Sequence, residues 1–559
     1  MAAIISEKFR IFNAKQFLES LSEASATNMY FFVGRPQKWY AYLEIYNVSG
    51  TFQVGETVTG GGLSGTVQEV NPNSLLLAVV NATSAPTSGS VMTGGTSSAT
   101  AKASTYRYAT EDAPPAPIDN QIEKAAVYDD IIAAKRITST FARLVAPRYN
   151  WSLSTNPKFD MYRPNYSPTP AGGGTIGVQT ALGNSALSGS KYYVMNTNYE
   201  VFKCLYNGQI PANPTGQNAT YEPSTTPTAG QGTYANGLFS EGVANGYIWK
   251  YMYTLTTAEV IAFLSNDFLP MGTYAGPAVV DGAVHIAVIK DGGGNLGNNA
   301  TLYVPVDGDG SGAIVKVTTS ASGVINGVEM YAAGSGYTYG NVRLVDGNVY
   351  TDTGVSNAVS LTNPSGAIEI VMSPEGGHGA DLAAEFFAKR VMTNIRLTFA
   401  DGSGDFPVDN DFRRIGILQD PYNYGTTTVA SASTLRGTAA VKLTGSGDYT
   451  IDEEITQTVS GGTAKGKVVS WDATNGILKY FQSPDLHTHN GKVLAFDHAT
   501  NNVTGATSST ARPIDANQDT ALADISFTDG KANPEIAPNS GDIVYIENRR
   551  QITRAADQI

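Results

Sequence analysis

The sequence predicts a mainly β protein: a β-sandwich or Greek-key core with a few short helices, plus small all-β modules inserted into it. Two features of the composition support this. Charged residues make up 15% of the 559 residues, and the chain contains 59 Gly and 30 Tyr, a mixture typical of twisted strands joined by tight turns. The third observation is an internal repeat, because residues 52–101 recur in outline at 449–511. A module placed twice, far apart, indicates a decorated scaffold rather than a solenoid.

The repeat consists of alternating apolar segments, an acidic turn, a double glycine and a closing Thr-Ser-Ser. The matched segments are FQVGETVT (52–59) with YTIDEEIT (449–456), GG (60–61) with GG (461–462), SGTVQEV (64–70) with AKGKVVS (464–470), LLL (75–77) with ILK (477–479), and GTSSATA (95–101) with ATSSTA (506–511). The first pair is interpreted as a strand in both copies, because an apolar residue stands at every second position. We therefore expect the two copies to have the same fold.

The repeat and a third segment rich in hairpin turns divide the chain into a discontinuous core and three inserted modules. The modules are predicted at residues 47–105, 290–365 and 426–514, the last repeating the first. The core is predicted from residues 1–46, 106–289, 366–425 and 515–559.

The core contains the predicted helices and the strongest strands. Helices are predicted at residues 13–24, 119–135 and 381–389, capped by Asn13, Asp119 and Asp381. Strands are predicted at residues 29–33, 137–145, 191–195, 201–206, 246–255, 391–399 and 414–418. The strand at 246–255 (GYIWKYMYTL) has apolar or aromatic side chains on both faces, so we expect both faces to be shielded.

Charge and cysteine content exclude several classes of protein. A net charge of −13 gives no field to attract a phosphate backbone, so nucleic-acid binding is not expected. The single cysteine, Cys204, excludes an internal disulfide and is expected to be a reduced thiol packed in a strand. Residues 247–264 form the most apolar long segment, but Lys250 and Glu259 interrupt it, so no membrane span is predicted. The N-terminal apolar run is too short for a signal peptide, which indicates synthesis in the cytoplasm.

Two groups of residues could bind a metal, but each has a simpler interpretation. His487 and His489 lie two residues apart, with Asp485 and His498 nearby, which makes a metal conceivable. An exposed hairpin tip is the favoured alternative, because ligand spacing alone is weak support. DGDGSG (307–312) is similar to a calcium loop, but its twelfth position is Thr318 rather than a bidentate Glu. No metal or cofactor is therefore predicted.

The sequence contains no motif that predicts catalysis. GGGTIG (172–177) lacks the Lys-Ser/Thr of a phosphate-binding loop and is interpreted as a flexible turn. No Gly-x-Ser-x-Gly, Cys/His nucleophile arrangement or His-Glu-x-x-His is present. His378, in a Gly-rich turn, is interpreted as fixing a loop. The chain is thus not expected to be an enzyme, whereas its Tyr content and modest charge are typical of protein interfaces.

Seven short strings, all outside the inserted modules, occur in one order from end to end. They are SEKFR (6–10), YFFVGRPQKW (30–39), VAPRYNW (145–151), GYIWKYM (246–252), RVMTNIR (390–396), FRRIGILQDP (412–421) and GDIVYIENR (541–549). In these strings the core resembles the baseplate wedge subunit called gene product eight of T-even-like contractile-tailed bacteriophages.

The resemblance implies a structural protein of the virion tail baseplate, made in the host cytoplasm, without catalysis or cofactor. It implies a homodimer of β-rich subunits set into each wedge beside the other wedge proteins. Such a subunit acts as a rigid bracket while the baseplate rearranges to trigger sheath contraction. The inserted modules are additions that the family does not need. The family continues with a further strand after the last string, so a short C-terminal piece is expected beyond Ile559.

The resemblance also selects residues expected to form the core or the interfaces. These are Phe9, Arg10, Gly34, Arg35, Pro36, Trp39, Pro147, Arg148, Trp151, Trp249, Tyr251, Arg414, Tyr545, Glu547, Asn548 and Arg549.

The alternative function is a tail-surface carbohydrate-binding or host-binding β protein, which would share the β modules and the aromatic content. A sugar site needs clustered exposed Trp, and three of the four Trp (Trp39, Trp151 and Trp249) lie in the core strings. This disfavours the alternative. A polysaccharide-cleaving tail enzyme would need converging carboxylates, and the sequence identifies none.

Overall fold

The computed structural model describes most of the chain. The described residues are 6–23, 27–35, 38–71, 75–110, 112–119, 121–152, 157–162, 187–210, 213, 215–243, 246–395, 412–483, 487–498, 501–517, 519–522 and 525–550. The protein is mainly β, which confirms the fold class predicted from composition and patterning. Within these residues no helix is long and apolar enough to cross a membrane.

Short helices and many strands make up the described part of the chain. The helices are α1 (Glu7–Ser20), α2 (Gln121–Asp130), α3 (Thr257–Phe263) and α4 (Leu382–Glu385). The strands of the first half are β1 (Met29–Gly34), β2 (Ala41–Ser49), β3 (Thr57–Gly60), β4 (Leu63–Asn71), β5 (Leu76–Val80), β6 (Val91–Gly94), β7 (Thr100–Arg107), β8 (Ile131–Arg136), β9 (Ala142–Pro147), β10 (Tyr193–Met195), β11 (Glu200–Tyr206), β12 (Thr233–Ala235), β13 (Leu238–Ser240), β14 (Ile248–Thr254) and β15 (Phe268–Pro270).

The strands of the second half are β16 (Val284–Gly294), β17 (Thr301–Gly308), β18 (Ser311–Thr319), β19 (Ile325–Ser335), β20 (Gly340–Val342), β21 (Ser365–Met372), β22 (Arg390–Thr393), β23 (Arg414–Gln419), β24 (Thr434–Arg436), β25 (Ala439–Lys442), β26 (Glu454–Val459), β27 (Gly462–Asp472), β28 (Ile477–Phe481), β29 (Thr488–His489), β30 (Lys492–Val493), β31 (Val503–Gly505), β32 (Ala511–Arg512), β33 (Ala521–Leu522), β34 (Ile525–Ser526), β35 (Lys531–Ala532) and β36 (Asp542–Asn548).

The chain divides into two compact units. Unit one comprises Met1–Glu19 and Ala142–Asn394, and unit two comprises Ser20–Phe141 and Ile395–Ile559. Each unit is thus built from segments that are far apart in the sequence.

The described residues of unit one form three sheets. Their strand orders are β10-β11-β14-β13-β12, β15-β9-β22 and β16-β21-β20-β17-β18-β19. The first sheet has a hydrophobic cluster on each face: Trp249 of β14 belongs to one cluster and Met252 to the other. The expectation that the strand at 246–255 is shielded on both faces is confirmed.

Unit two contains one open sheet, β24-β8-β1-β23-β36, and two modules. Module A (residues 41–107) is a closed barrel, β2-β5-β4-β3-β6-β7. Module B (residues 439–532) is a seven-stranded sheet, β32-β31-β26-β27-β28-β25-β35. Two small pairs, β29-β30 and β33-β34, complete the unit. The strands of module A begin before residue 47 and end after residue 105, and those of module B end after residue 514. The predicted bounds of the insertions stay predictions.

The two modules share one strand order, in which β25, β28, β27, β26, β31 and β32 take the places of β2, β5, β4, β3, β6 and β7. In the structure, the alignment of the middle segments differs by one residue from the sequence match of 64–70 with 464–470. Val67 and Val468 are equivalent, because each donates its N–H to the carbonyl of the acidic residue in the turn and each precedes the same bulge. The strands start at Thr57 and Glu454, so the residues before them are turns rather than strand.

All three predicted helices have different bounds in the structure: the helix predicted at 381–389 is capped by Asp381, as expected, but ends at Glu385. Asn13 was interpreted as a helix cap, but it lies inside α1, whose first turn is capped by Ser6 Oγ accepting from Phe9 N at 3.2 Å. The helix predicted to run towards Lys135 ends at Asp130. Pairing of β8 with β1 and β24 on its two sides overrides helix propensity there.

Candidate functional site

Three of the seven strings meet in the open sheet of unit two, although they lie at the two ends and in the last third of the chain. They provide β1, β23 and β36, which are adjacent antiparallel strands. Gly34 lies opposite Arg414, and Arg414 lies opposite Asn548. This register places five of the predicted site residues, Arg35, Trp39, Arg414, Asn548 and Arg549, at one end of the sheet.

Arg414 is the centre of this group, which we call the Arg414 cluster (Arg35, Trp39, Glu123, Asp130 and Arg414). Its Nη1 donates to Asp130 Oδ2 at 2.8 Å and its Nη2 donates to Glu123 Oε1 at 2.7 Å. The Arg414 side chain is buried, with 3% exposed. Burial lowers the pKa of Arg414, and the two carboxylates oppose that effect. Both carboxylates come from α2, so the cluster joins this helix to the sheet.

The hydrogen bonds of Arg414 also reach the last string. Arg414 Nε donates to Asn548 Oδ1 at 3.0 Å, and Asn548 Nδ2 donates to the carbonyl of Pro115 at 2.9 Å. Every nitrogen of the Arg414 guanidinium therefore has a protein acceptor. This indicates a structural role, since a group that binds a ligand would direct a donor outward.

Trp39 lies between two arginines. The guanidinium of Arg35 is 4.2 Å and that of Arg414 is 5.5 Å from the Trp39 ring centroid, within the range of cation–π attraction. The Trp39 indole N–H donates to the carbonyl of Arg549 at 2.7 Å. Arg35 Nη1 lies 3.6 Å from Asp130 Oδ2, and its Nη2 donates to Tyr42 OH of module A at 2.8 Å. The cluster thus connects module A to the open sheet.

Gly34 is required by close approach of the backbone. A Cβ at this position would lie 2.6 Å from the carbonyl oxygen of Asp130. That same carbonyl accepts a hydrogen bond from Arg35 N at 3.0 Å. Arg35 itself has φ of 52°, in the left-handed region that non-glycine residues seldom adopt. This backbone conformation aims the Arg35 side chain at Asp130.

In unit one, Trp151, Trp249 and Tyr251 belong to a single buried aromatic cluster. The Trp151 and Phe159 rings stack at 5.8 Å, and Phe159 meets Trp249 edge-on at 5.0 Å. The buried indole nitrogens of Trp151 and Trp249 have no hydrogen-bond partner among the described residues. These rings therefore contribute packing rather than recognition.

Pro147 and Arg148 hold the adjoining strand β9 in place. The Pro147 carbonyl accepts from Tyr193 OH at 2.7 Å. Arg148 Nε donates to Asn150 Oδ1 at 2.7 Å and Nη1 donates to the Ser265 carbonyl at 2.6 Å. Both residues are engaged within unit one.

Phe9, Arg10 and Tyr545 of the predicted site residues lie at the surface instead, and the side chains of Glu547 and Arg549 are 37% and 44% exposed. Phe9 is 51% exposed on α1, and the Arg10 side chain beside it is also 51% exposed. Tyr545 is 49% exposed on the edge strand β36, and its hydroxyl donates to Glu547 Oε2 at 2.9 Å. These residues are the candidates for contacts with other molecules. Pro36 lies outside the described residues.

The sequence did not reveal a buried ionic group in unit one, which we call the Lys203 cluster (Lys203, Lys250, His285, His378 and Glu385). Lys203 and Lys250 are opposite each other on β11 and β14. Lys203 Nζ forms an ion pair with Glu385, approaches His378 Nδ1 at 3.0 Å and lies 3.8 Å from the Tyr162 ring centroid. Lys203 and Glu385 are 0% and 4% exposed.

Burial controls the protonation of the Lys203 cluster. Burial lowers the pKa of Lys203, against the attraction of Glu385, and lowers the pKa of Lys250 to about 8. Burial and then the nearby lysines lower the pKa of His285 to about 3 and that of His378 well below its usual value. Both histidines are therefore neutral at neutral pH. His378 contacts Lys203, and its interpretation as a residue that fixes a loop stays a prediction.

The residues considered for metal binding have other partners. Among the described residues, no group of three or more His, Cys, Asp or Glu could hold a metal ion. His487 is buried and its Nδ1 accepts from Ser483 N at 2.8 Å, while Asp485 lies outside the described residues. The segment 307–312 is the hairpin turn between the antiparallel strands β17 and β18, and Asp309 accepts hydrogen bonds from Thr338 N and Tyr339 N. Residues 172–177 also lie outside the described part. Cys204 is a free, buried thiol whose pKa burial raises.

No protein-family model matches the chain, and no curated protein matches it.

Proposed function

We propose that this chain is a structural protein of a contractile phage tail baseplate. In this proposal it is a homodimeric wedge subunit that brackets neighbouring wedge proteins during assembly and during the rearrangement that triggers sheath contraction. It is made in the host cytoplasm, resides in the virion and performs no catalysis.

The observation that carries the proposal is the convergence of strings 30–39, 412–421 and 541–549 on one sheet end. The resemblance rests on these strings, and their distinctive side chains form the interlocked contacts of Arg414, Trp39 and Asn548. Residues selected by resemblance alone would otherwise have no reason to touch each other. The convergence supports the view that these strings form one structural unit.

A bracket needs to keep its shape while its neighbours move. Arg414 satisfies two carboxylates and a side-chain amide inside the protein. A fully paired buried network of this kind holds one geometry, because breaking one member leaves an uncompensated charge. In unit one, the buried ion pair of Lys203 with Glu385 holds β11 to α4 in the same way.

Two measurements test the proposal. Light scattering after size exclusion should give twice the 58.9 kDa chain mass, since an obligate dimer interface buries on the order of 2,000 Å² or more. Cryo-EM of intact tails should place the chain in the baseplate wedge. A monomer at micromolar concentration, or purified tails that lack the chain, would contradict the proposal.

A second candidate function is a tail-surface carbohydrate- or host-binding protein, and one observation favours it. A cavity of about 650 Å³ in unit two is lined by tyrosines, including Tyr424 and Tyr480, and by polar side chains such as Asp129 and Lys531. This size and this mixture of aromatic and polar groups suit a small saccharide. Titration calorimetry with host surface glycans separates the two functions: saturable binding that Tyr424→Ala removes would favour this candidate.

A further inference from the structure

Strings 6–10 and 390–396 also meet, and they meet at the surface of unit one. A groove of about 470 Å³ lies between α1 and the start of β22. It is lined by Phe9, Arg10, Asn13, Lys389, Arg390 and Val391. The residues at its two sides are about 380 positions apart in the chain.

One face of α1 is anchored and the other is open. Ile11 is 6% exposed and packs in the hydrophobic core of unit one. Phe9 and Phe12, by contrast, are 51% and 56% exposed. They are three positions apart and therefore lie on the same side of the helix. Exposing these two rings does not stabilise the fold, because burial of an aromatic side chain would be more favourable.

The groove is positively charged, although the chain as a whole carries a net charge of −13. Arg10 and Lys389 share the carboxylate of Glu7, at 3.8 and 2.7 Å. Arg390 has no ion pair among the described residues, and its guanidinium lies 5.4 Å from the Phe268 ring centroid. The groove thus carries two cations paired with one carboxylate, a third cation without an ion pair among the described residues, and the exposed ring of Phe9.

We propose that this groove is a docking site for an acidic amphipathic segment of a partner protein, whose apolar side chains pack on Phe9 and Val391 while its carboxylates pair with Arg10 and Arg390. A concave site beside a helix suits a polypeptide segment of this type. Complementary charge fixes its register and excludes basic competitors. The partner's identity as a neighbouring wedge protein rests on the proposed function; the chemistry of the site does not.

The test uses the full chain and two fluorescein-labelled amphipathic helical peptides of equal length. Both carry Leu at positions i, i+3, i+4 and i+7; one carries Glu and the other Lys at the flanking positions. Fluorescence anisotropy should show at least about tenfold tighter binding of the Glu peptide. Arg10→Glu combined with Arg390→Glu should abolish or reverse this preference, and Phe9→Ser should weaken binding of the Glu peptide about tenfold.

Val345→Ser is the matched control, because Val345 is 43% exposed elsewhere in unit one. It should bind the Glu peptide like wild type, and all variants should melt at the wild-type temperature. Absence of binding, equal binding of both peptides, or equal loss with Val345→Ser would overturn the proposal. Binding to phosphatidylserine vesicles without binding to the peptides would also overturn it, in favour of a lipid surface. Failure of the peptides to bind would contradict the docking site without contradicting the baseplate role. Absence of the chain from purified tails would contradict the baseplate role without contradicting the docking site.

Discussion

Modules A and B use the same carboxylate to hold the same turn, although some 400 residues separate them. Glu56 accepts from Gln53 N, Thr96 N, Ser97 N and Ser97 Oγ at 2.7 to 3.0 Å. Glu453 accepts from Thr450 N, Thr507 N, Ser508 N and Ser508 Oγ at 2.7 to 2.8 Å. These hydrogen bonds lower the pKa of both carboxyls, against the effect of burial. The acidic turn and the Thr-Ser-Ser of the repeat are thus two halves of one clamp.

The backbone around the clamp is repeated as well. Ser98 and Ser509 have φ of 56° and 57°. A Cβ on Gly94 or on Gly505 would lie 2.6 Å from the clamped carboxylate. The glycines in this position therefore leave space for the Glu side chain.

The modules differ in how they close. In module A, β7 pairs along β2, with Ile45 opposite Ala103 and Tyr42 opposite Arg107. In module B, the equivalent of the Ile45 pairing is a single bridge between Leu443 and Ile514. The chain then leaves the module.

The rest of the closing strand in module B comes from further along the chain. Ala532 of β35 pairs with Ala440 of β25, at the position where Tyr42 pairs within module A. Arg436 Nη2 donates to the carbonyl of Asn533 at 3.1 Å, which ties this returning segment to β24 of the open sheet. Module A is closed by its own strand, and module B is closed by the core that it interrupts. The same repeat is therefore closed by its own strand at one insertion point and by a returning segment of the core at the other.

A charged residue introduced into the closing strand should cause the largest loss of stability. It tests whether the two modules are closed in different ways. Ala103 is 0% and Ala532 is 7% exposed. We expect Ala103→Asp and Ala532→Asp each to destabilise its module by about 5 kcal/mol, because both bury an unpaired carboxylate. Hydrogen exchange of the full chain should show opening confined to 41–107 for Ala103→Asp, but opening that includes β24 and residues 533–548 for Ala532→Asp. Opening confined to module B in the second variant would show that the two modules are equally independent.

Removing the clamp charge tests whether the carboxylate contributes the same stabilisation to module A and to module B. Glu56→Gln and Glu453→Gln should each cost about 3 kcal/mol, because the amide group faces backbone N–H donors that lose their acceptor. Unfolding of the full chain, followed through hydrogen exchange of each module, measures both. Glu454→Gln is the control, because its side chain is exposed next to the clamp. Costs that differ by more than about 1 kcal/mol would mean that the two clamps are not equivalent.

Acid should destabilise module B more than module A, because module A has no histidine and module B contains the buried His487. Burial, and then Lys467 and Lys465, lower the pKa of His487 to about 4. The unfolded form of this residue binds a proton below about pH 6.5, while the folded form remains neutral to about pH 4. Stability is therefore lost as the pH falls through this window.

The expected loss for module B is about 2 kcal/mol between pH 6.5 and 4.5. Hydrogen exchange of module B relative to module A, at each pH, corrects for the intrinsic pH dependence of exchange. In His487→Asn the relative change should disappear. If it persists in that variant, another group is responsible.

The smallest expected difference is a surface stack present in module B alone of the two copies. The ring centroids of Trp471 and Tyr449 lie 5.2 Å apart, and the Arg512 guanidinium lies 4.7 Å from the Trp471 ring centroid. Val70 takes the place of Trp471 in module A. We expect Trp471→Val to cost about 1 kcal/mol, measured by thermal unfolding. A double-mutant cycle with Arg512→Ala should show a coupling of about 0.5 kcal/mol; zero coupling would exclude a cation–π contribution.

The sequence could predict those parts of the fold that short patterns encode. The repeat was visible because an acidic residue, a double glycine and Thr-Ser-Ser recur at similar spacing, and the structure shows that the acidic residue contacts the Thr-Ser-Ser. The strand containing Trp249 was predicted because aromatic residues on both faces need two covering layers. The start of α1 was wrong, because Ser6 and Asn13 are both good caps and the sequence does not choose between them.

Much of the candidate site could not be predicted. The strings selected Arg35, Trp39 and Arg414, but Glu123 and Asp130, which neutralise Arg414, lie in no string. The Lys203 cluster was missed because its five members come from separate elements, and each alone resembles an ordinary polar residue. His378 and Glu385 show no spacing that would reveal a buried lysine between them.

By itself the sequence determined the β-rich class and the duplication, because strand periodicity, turn chemistry and glycine requirements act over a few residues. The clamp joins residues 40 to 55 positions apart, so only the tertiary structure revealed it. The tertiary structure decided which charges pair, which strings converge and which strand closes module B. These outcomes depend on contacts between residues hundreds of positions apart, and a closing strand of two residues, Lys531–Ala532, is too short to carry a periodicity of its own.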